Sequence, residues 1–115
     1  MFARAALFVT LMVAPAGAST PSPPSLLIGL PYKAARARLI GAGNHPVQVR
    51  PGIGLKGMCL GRDDLCAAYP EVESCAVDRD GPCRFRWRTA EGRLFIVYTR
   101  GETFEVMVSG GEWDD

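Results

Sequence analysis

Histidine is nearly missing from this 115-residue chain; His45 is the only one. A Ser-His-Asp or Cys-His mechanism would have to run through that ring. It sits between Asn44 and Pro46, where a surface turn residue is the plainer reading. No C-x-x-C pair occurs, so the usual signatures of a zinc site and of a redox-active dithiol are both absent. Net charge is also scarce, at +1, which is a poor composition for a nucleic-acid binder. No apolar run approaches the roughly 20 residues a bilayer span needs, and no internal repeat is visible.

What is present begins with an export pattern. Arg4 precedes a stretch without charge that reaches Thr20, and Ala5 to Val13 is apolar except for Thr10. Pro15 and Ala16-Gly17-Ala18 follow. A charged start, a short apolar run and an A-x-A site in this order read as a cleavable signal peptide over residues 1–18. With Arg4 removed, the remainder is neutral and carries no stable membrane span. Residues 19–25, Ser-Thr-Pro-Ser-Pro-Pro-Ser, read as a flexible or polyproline-like leader. A single domain is expected over 26–109, followed by a flexible acidic tail over 110–115. A domain of that size buries a limited share of its surface and calls for covalent support.

Four cysteines supply it: Cys59, Cys66, Cys75 and Cys83. An even number in a short exported chain favours two disulfides. Of the three possible pairings, Cys59–Cys66 with Cys75–Cys83 is favoured, because the second pair brackets the turn-rich Val77-Asp78-Arg79-Asp80-Gly81. Closing loops this short contributes about 2–3 kcal/mol each on the chain-entropy view.

The fold expectation is α+β. Pro31 to Ala42 reads as a helix, with Pro31 at its first position and Gly41 and Gly43 as stops. Tyr32, Ala35, Leu39 and Ile40 share one side. Arg36 falls in the same arc, its stem packed and its head reaching solvent or a carboxylate. Val47 and Val49 suggest a short edge strand bounded by Pro46 and Pro51. Residues 63–69 read as one or two helical turns capped by Asp63, and 71–78 as a strand. The last third alternates with period two: 83–89, 94–99 and 103–108, joined by Glu91-Gly92 and Arg100-Gly101-Glu102. This is an antiparallel meander. Phe85, Trp87, Ile96, Tyr98, Phe104 and Val106 are expected on its inner face, under the helix.

Charge comes in blocks. Residues 19–62 hold six basic groups and no acid, 63–80 six acids against Arg79, 81–100 five arginines against Glu91, and 101–115 five acids. Arg84, Arg86 and Arg88 alternate on one strand and form a candidate patch for phosphate or carboxylate partners. The plainer reading pairs them with acids across the sheet, such as Arg86 with Glu105. Tyr69-Pro70-Glu71 lies between two cysteines and is a candidate recognition loop, or simply a fixed helix end. Glu71 and Glu73 alternate and would share one side, as paired carboxylates for acid–base work do. Asp78-Arg79-Asp80-Gly81 echoes a calcium loop, but Thr89 occupies the expected glutamate position and Cys83 interrupts it. Trp113 stands in the polar tail, as a partner dock or a loosely packed terminal residue. No metal, cofactor or catalytic residue is expected.

Ala35-x-x-x-Leu39-x-x-x-Gly43, Pro46-Val47, Cys59, Cys66-Ala67-Ala68-Tyr69-Pro70-Glu71-Val72, Cys75 and Cys83-Arg84-Phe85-Arg86-Trp87 together resemble a group of small exported bacterial proteins of uncharacterised function. The resemblance spans most of the chain after the leader and implies no activity. The A-x-x-x-L-x-x-x-G helix also resembles the opening of PASTA-type cell-wall-binding modules, which lack this cysteine framework. The functional expectation is a non-catalytic binding module, periplasmic or secreted, with an envelope protein or an anionic cell-wall ligand as partner. The alternative is an inhibitor or immunity protein of an envelope hydrolase, presenting Tyr69 and Glu71 outward.

Overall fold

The computed structural model describes Pro23 and residues 27–49, 62–76 and 81–114. The expectations for the signal peptide, for most of the leader, for Cys59 and for Asp78-Arg79-Asp80 lie outside them. The architecture is α+β. Helix α1 (Tyr32–Gly41) is followed by β1 (His45–Pro46), a short α2 (Asp63–Ala68), then β2 (Val72–Cys75), β3 (Cys83–Arg88), β4 (Leu94–Arg100) and β5 (Met107–Trp113). All pairings are antiparallel. The order is β1-β3-β4-β5, with β2 also on β3, so that β1 and β2 share one side of β3 at different residues.

Alternating residues on β3 decide which face is buried. Cys83, Phe85 and Trp87 are fully buried, while Arg84 and Arg86 are half-exposed. The register Phe85↔Val97 and Trp87↔Phe95 puts Phe95, Val97 and Thr99 on that same face. This corrects the expected phase of β4. Tyr98 and Ile96 lie opposite, across from Arg84 and Arg86, even though Ile96 is itself fully buried.

The third meander strand is also displaced. Residues 101–106 form a turn rather than a strand, and Phe104 is 41% exposed instead of inward. Gly101 adopts φ +142°, and Arg62 donates to the carbonyls of Gly101 and Thr103 at 2.9 and 2.8 Å. β5 therefore starts at Met107 and runs through residues expected to be a frayed tail, with Trp113 opposite Phe95. Val106, as expected, is buried.

Helix α1 is laced to β5 at its start: Tyr32 N–H donates to Val106 C=O at 2.8 Å and Gly29 N–H to Val108 C=O at 2.9 Å. Pro31 is its N-cap rather than its first residue. Tyr32, Ala35 and Leu39 are buried, but Ile40 is 45% exposed; at 100° per residue it lies about 80° round from Tyr32, beyond the strip the sheet covers. Arg62, not Asp63, occupies the N-cap of α2. Cys75 faces Cys83 across the β2–β3 pair and is disulfide-bonded to it, as expected. Among the described residues there is no free cysteine. The expected Cys59–Cys66 bond involves a residue outside them. No helix among the described residues is long and apolar enough to cross a membrane.

Candidate functional site

The expected recognition loop turns inward. Tyr69 is 8% exposed and Glu71 fully buried. Glu71 accepts from the Tyr32 hydroxyl at 2.6 Å and from Arg36 Nε at 2.6 Å on the same oxygen, and from Arg36 Nη2 at 3.2 Å on the other. Trp87 Nε1–H donates to the Tyr32 oxygen at 3.0 Å. The chain Trp87–Tyr32–Glu71–Arg36 thus joins β3, α1 and the turn before β2. Every polar member is bonded, as burial requires. Burial, then the Glu71 charge and hydrogen bond, push the Tyr32 hydroxyl well above its ordinary pKa. The hydrogen bond to Glu71 holds Arg36 in its charged form. Aromatic rings frame the network: Tyr32 stacks on Phe85 at 3.9 Å and meets Tyr69 edge-on at 5.0 Å.

Glu73 does not join Glu71. An irregularity between Val72 and Ser74 in the β2–β3 register separates them, and Glu73 faces the opposite side of the sheet. There its Oε1 lies 3.6 Å from both Arg84 Nε and Arg86 Nη2. Arg86 also meets Asp114 at 3.1 Å. Arg84 donates to the Tyr98 hydroxyl at 2.7 Å, which donates in turn to Glu112 at 2.8 Å. Burial is the first cause that raises the Tyr98 pKa. Arg84 and Arg86 are therefore spent on internal partners. Those partners are Glu73 of β2, Tyr98 of β4 and Asp114 just after β5, not Glu105, because β5 begins after that residue. Arg88 alone of the three stays exposed. Trp87, buried in the core, lines no surface cleft. His45 is exposed on β1 opposite Arg88, and its side chain makes no hydrogen bond among the described residues.

Among the described residues, one surface concavity lies along α1 and another beyond its C-terminal end, and neither was apparent from sequence. A groove of about 480 Å³ is lined by Lys33, Arg36, Ala37, Ile40 and Tyr69. Arg36 lies over the Tyr69 ring, 5.3 Å from its centroid, and Phe104 stacks against Tyr69 at 5.8 Å. Lys33 is exposed and has no ion-pair partner among the described residues. A second cleft, of about 410 Å³, is lined by Ala42, Asn44, Thr89, Ala90, Glu91, Arg93 and Trp113. The sequence signal for the groove was the i, i+3 spacing of Lys33 and Arg36 on one helix, obscured because Arg36 also falls in the apolar arc. No family model, curated protein or solved structure matches the chain.

Proposed function

We propose that the chain is an exported, non-catalytic binding module of the cell envelope, braced by Cys75–Cys83 together with a Cys59–Cys66 bond, that takes an anionic group in the α1 groove. The observation that carries this reading is the pairing of Lys33 with Arg36 in a concavity floored by Tyr69. Glu71 holds the guanidinium through Nε and Nη2, which leaves Nη1 for a ligand. A cation fixed by a buried acid loses little freedom when it binds, so an anion meets a prepared partner. Ile40 and Tyr69 add an apolar flank, suited to a carboxylate or phosphate carried on a partly apolar body. The Cys75–Cys83 disulfide supports the export part of the reading, because disulfides persist in oxidising compartments.

The test is an NMR titration of residues 19–115 with a sugar-free cell-wall stem peptide bearing free carboxylates. Perturbations are expected at Lys33, Arg36 and Tyr69. Lys33→Glu should weaken binding at least about fivefold, the equivalent of one lost charge-assisted contact of about 1 kcal/mol, whereas Arg84→Ala should leave it unchanged. Perturbations centred on Arg84 and Arg86, or none at all, would remove the groove from the proposal. Intact mass before and after reduction counts the disulfides, and the N-terminus of secreted protein reports cleavage after Ala18.

A further inference from the structure

The second cleft differs from the groove in chemistry. It holds one acid, Glu91, and one base, Arg93, beside two neutral polar side chains and an indole. Asn44 and Thr89 are 6% and 7% exposed, and each spends one end on the protein. Asn44 Nδ2 donates to Leu39 C=O at 3.1 Å, and Thr89 Oγ1 accepts from Arg93 N–H at 3.1 Å. Asn44 Oδ1 and the Thr89 hydroxyl hydrogen have no protein partner among the described residues. Trp113 is fixed in place: it meets Phe95 edge-on at 6.0 Å, and the Arg93 guanidinium lies 3.6 Å from its centroid. The small side chains of Ala42 and Ala90 leave the space open.

We propose that this cleft is a binding site for a neutral saccharide. A sugar ring presents C–H groups on its faces and hydroxyls round its rim. The C–H face suits the part of the half-buried Trp113 indole that the Arg93 guanidinium leaves uncovered. The hydroxyls need both donors and acceptors, here the Thr89 hydroxyl as donor, Asn44 Oδ1 and Glu91 as acceptors. Asn44 and Thr89 are nearly buried, so the few polar atoms they present to the cleft favour a ligand that carries the matching groups. Balanced charge disfavours strongly anionic ligands, and a volume near the low end of the range for small-molecule sites suits a short oligosaccharide end. The site is separate from the α1 groove and does not depend on the anion reading.

The experiment titrates residues 19–115 with chitotriose, with cellotriose and with trigalacturonate, followed by tryptophan fluorescence and by NMR. A saturable response to a neutral trisaccharide is expected, with perturbed Trp113 and Arg93 resonances and Trp87 unmoved. Thr89→Val, which keeps shape but removes the hydroxyl, should weaken binding about fivefold; Trp113→Ala should abolish it, with the circular dichroism of both variants matching the parent. No saturation by either neutral sugar up to millimolar concentration, response to trigalacturonate alone, or binding indifferent to both substitutions would each overturn the proposal. Because the stem peptide contains no sugar and chitotriose no charge, failure here leaves the groove reading standing, and the reverse.

Discussion

Glu71 is a carboxylate with no exposed surface, and its neighbours determine what that burial means. It is bonded to Tyr32 and Arg36 on both oxygens, so it serves as a joint between elements rather than as a reagent. Tyr32 carries a consequence that can be measured. Its pKa is raised well above 10, while an unfolded tyrosine ionises near 10. Its contribution to stability is therefore whole below pH 10. It declines above that value, because the unfolded chain gives up the proton first, by about 1.4 kcal/mol per pH unit. Tyr32→Phe should flatten the alkaline branch by that slope in urea denaturation between pH 8 and 11. It should also cost about 1–3 kcal/mol at pH 7, since Trp87 Nε1–H loses its acceptor and Glu71 a donor.

Among the elements, the two turns of the meander decide most. Gly101 sits at φ +142°, and a Cβ there would lie 3.2 Å from Val106 Cα. Gly101→Ala should cost about 1–3 kcal/mol, read as a lower thermal midpoint. At the β2–β3 pair, Cys75→Ala with Cys83→Ala should cost about 2–3 kcal/mol, measured by chemical denaturation under oxidising conditions. The same turns explain what was legible. Helix α1, the β2–β3 hairpin with its disulfide, and the alternation of β3 all follow from local pattern. The phase of β4 did not, because both of its faces are apolar: Phe95 and Val97 on one, Ile96 and Tyr98 on the other. The length of the 89–93 turn sets Trp87 opposite Phe95, and one residue more or less would have reversed it. The start of β5 depends on Arg62 reaching Gly101 and Thr103 from about 40 positions away, which no local window contains. For the candidate site, Arg36 and its carboxylate were legible as a tendency. The inward turn of Tyr69 and Glu71 was not, since a Tyr-Pro-Glu sequence has the composition of an exposed loop.

Across the whole molecule, charge blocks that are separate in sequence meet on the outer face of the sheet. Glu73, Arg84, Arg86, Glu112 and Asp114 come from β2, β3 and the end of the chain. Such partly exposed pairs contribute modestly. Arg86→Ala should cost about 1 kcal/mol or less, and the loss should shrink as salt is raised, which denaturation at low and high ionic strength would show. The long-range partners of α1 are of another kind. Tyr32 waits for Glu71, for Trp87 and for the carbonyl of Val106, and the first strand likewise waits for β3. The helix can form early, but it has nothing to dock on until the last strands exist, and β5 begins only at Met107. Closure of the core therefore waits for residues 106–108, far along the sequence from α1. A chain growing from its N-terminus accordingly stays open while β1 to β4 are made, and α1 is fixed only once the carbonyls of Val106 and Val108 follow.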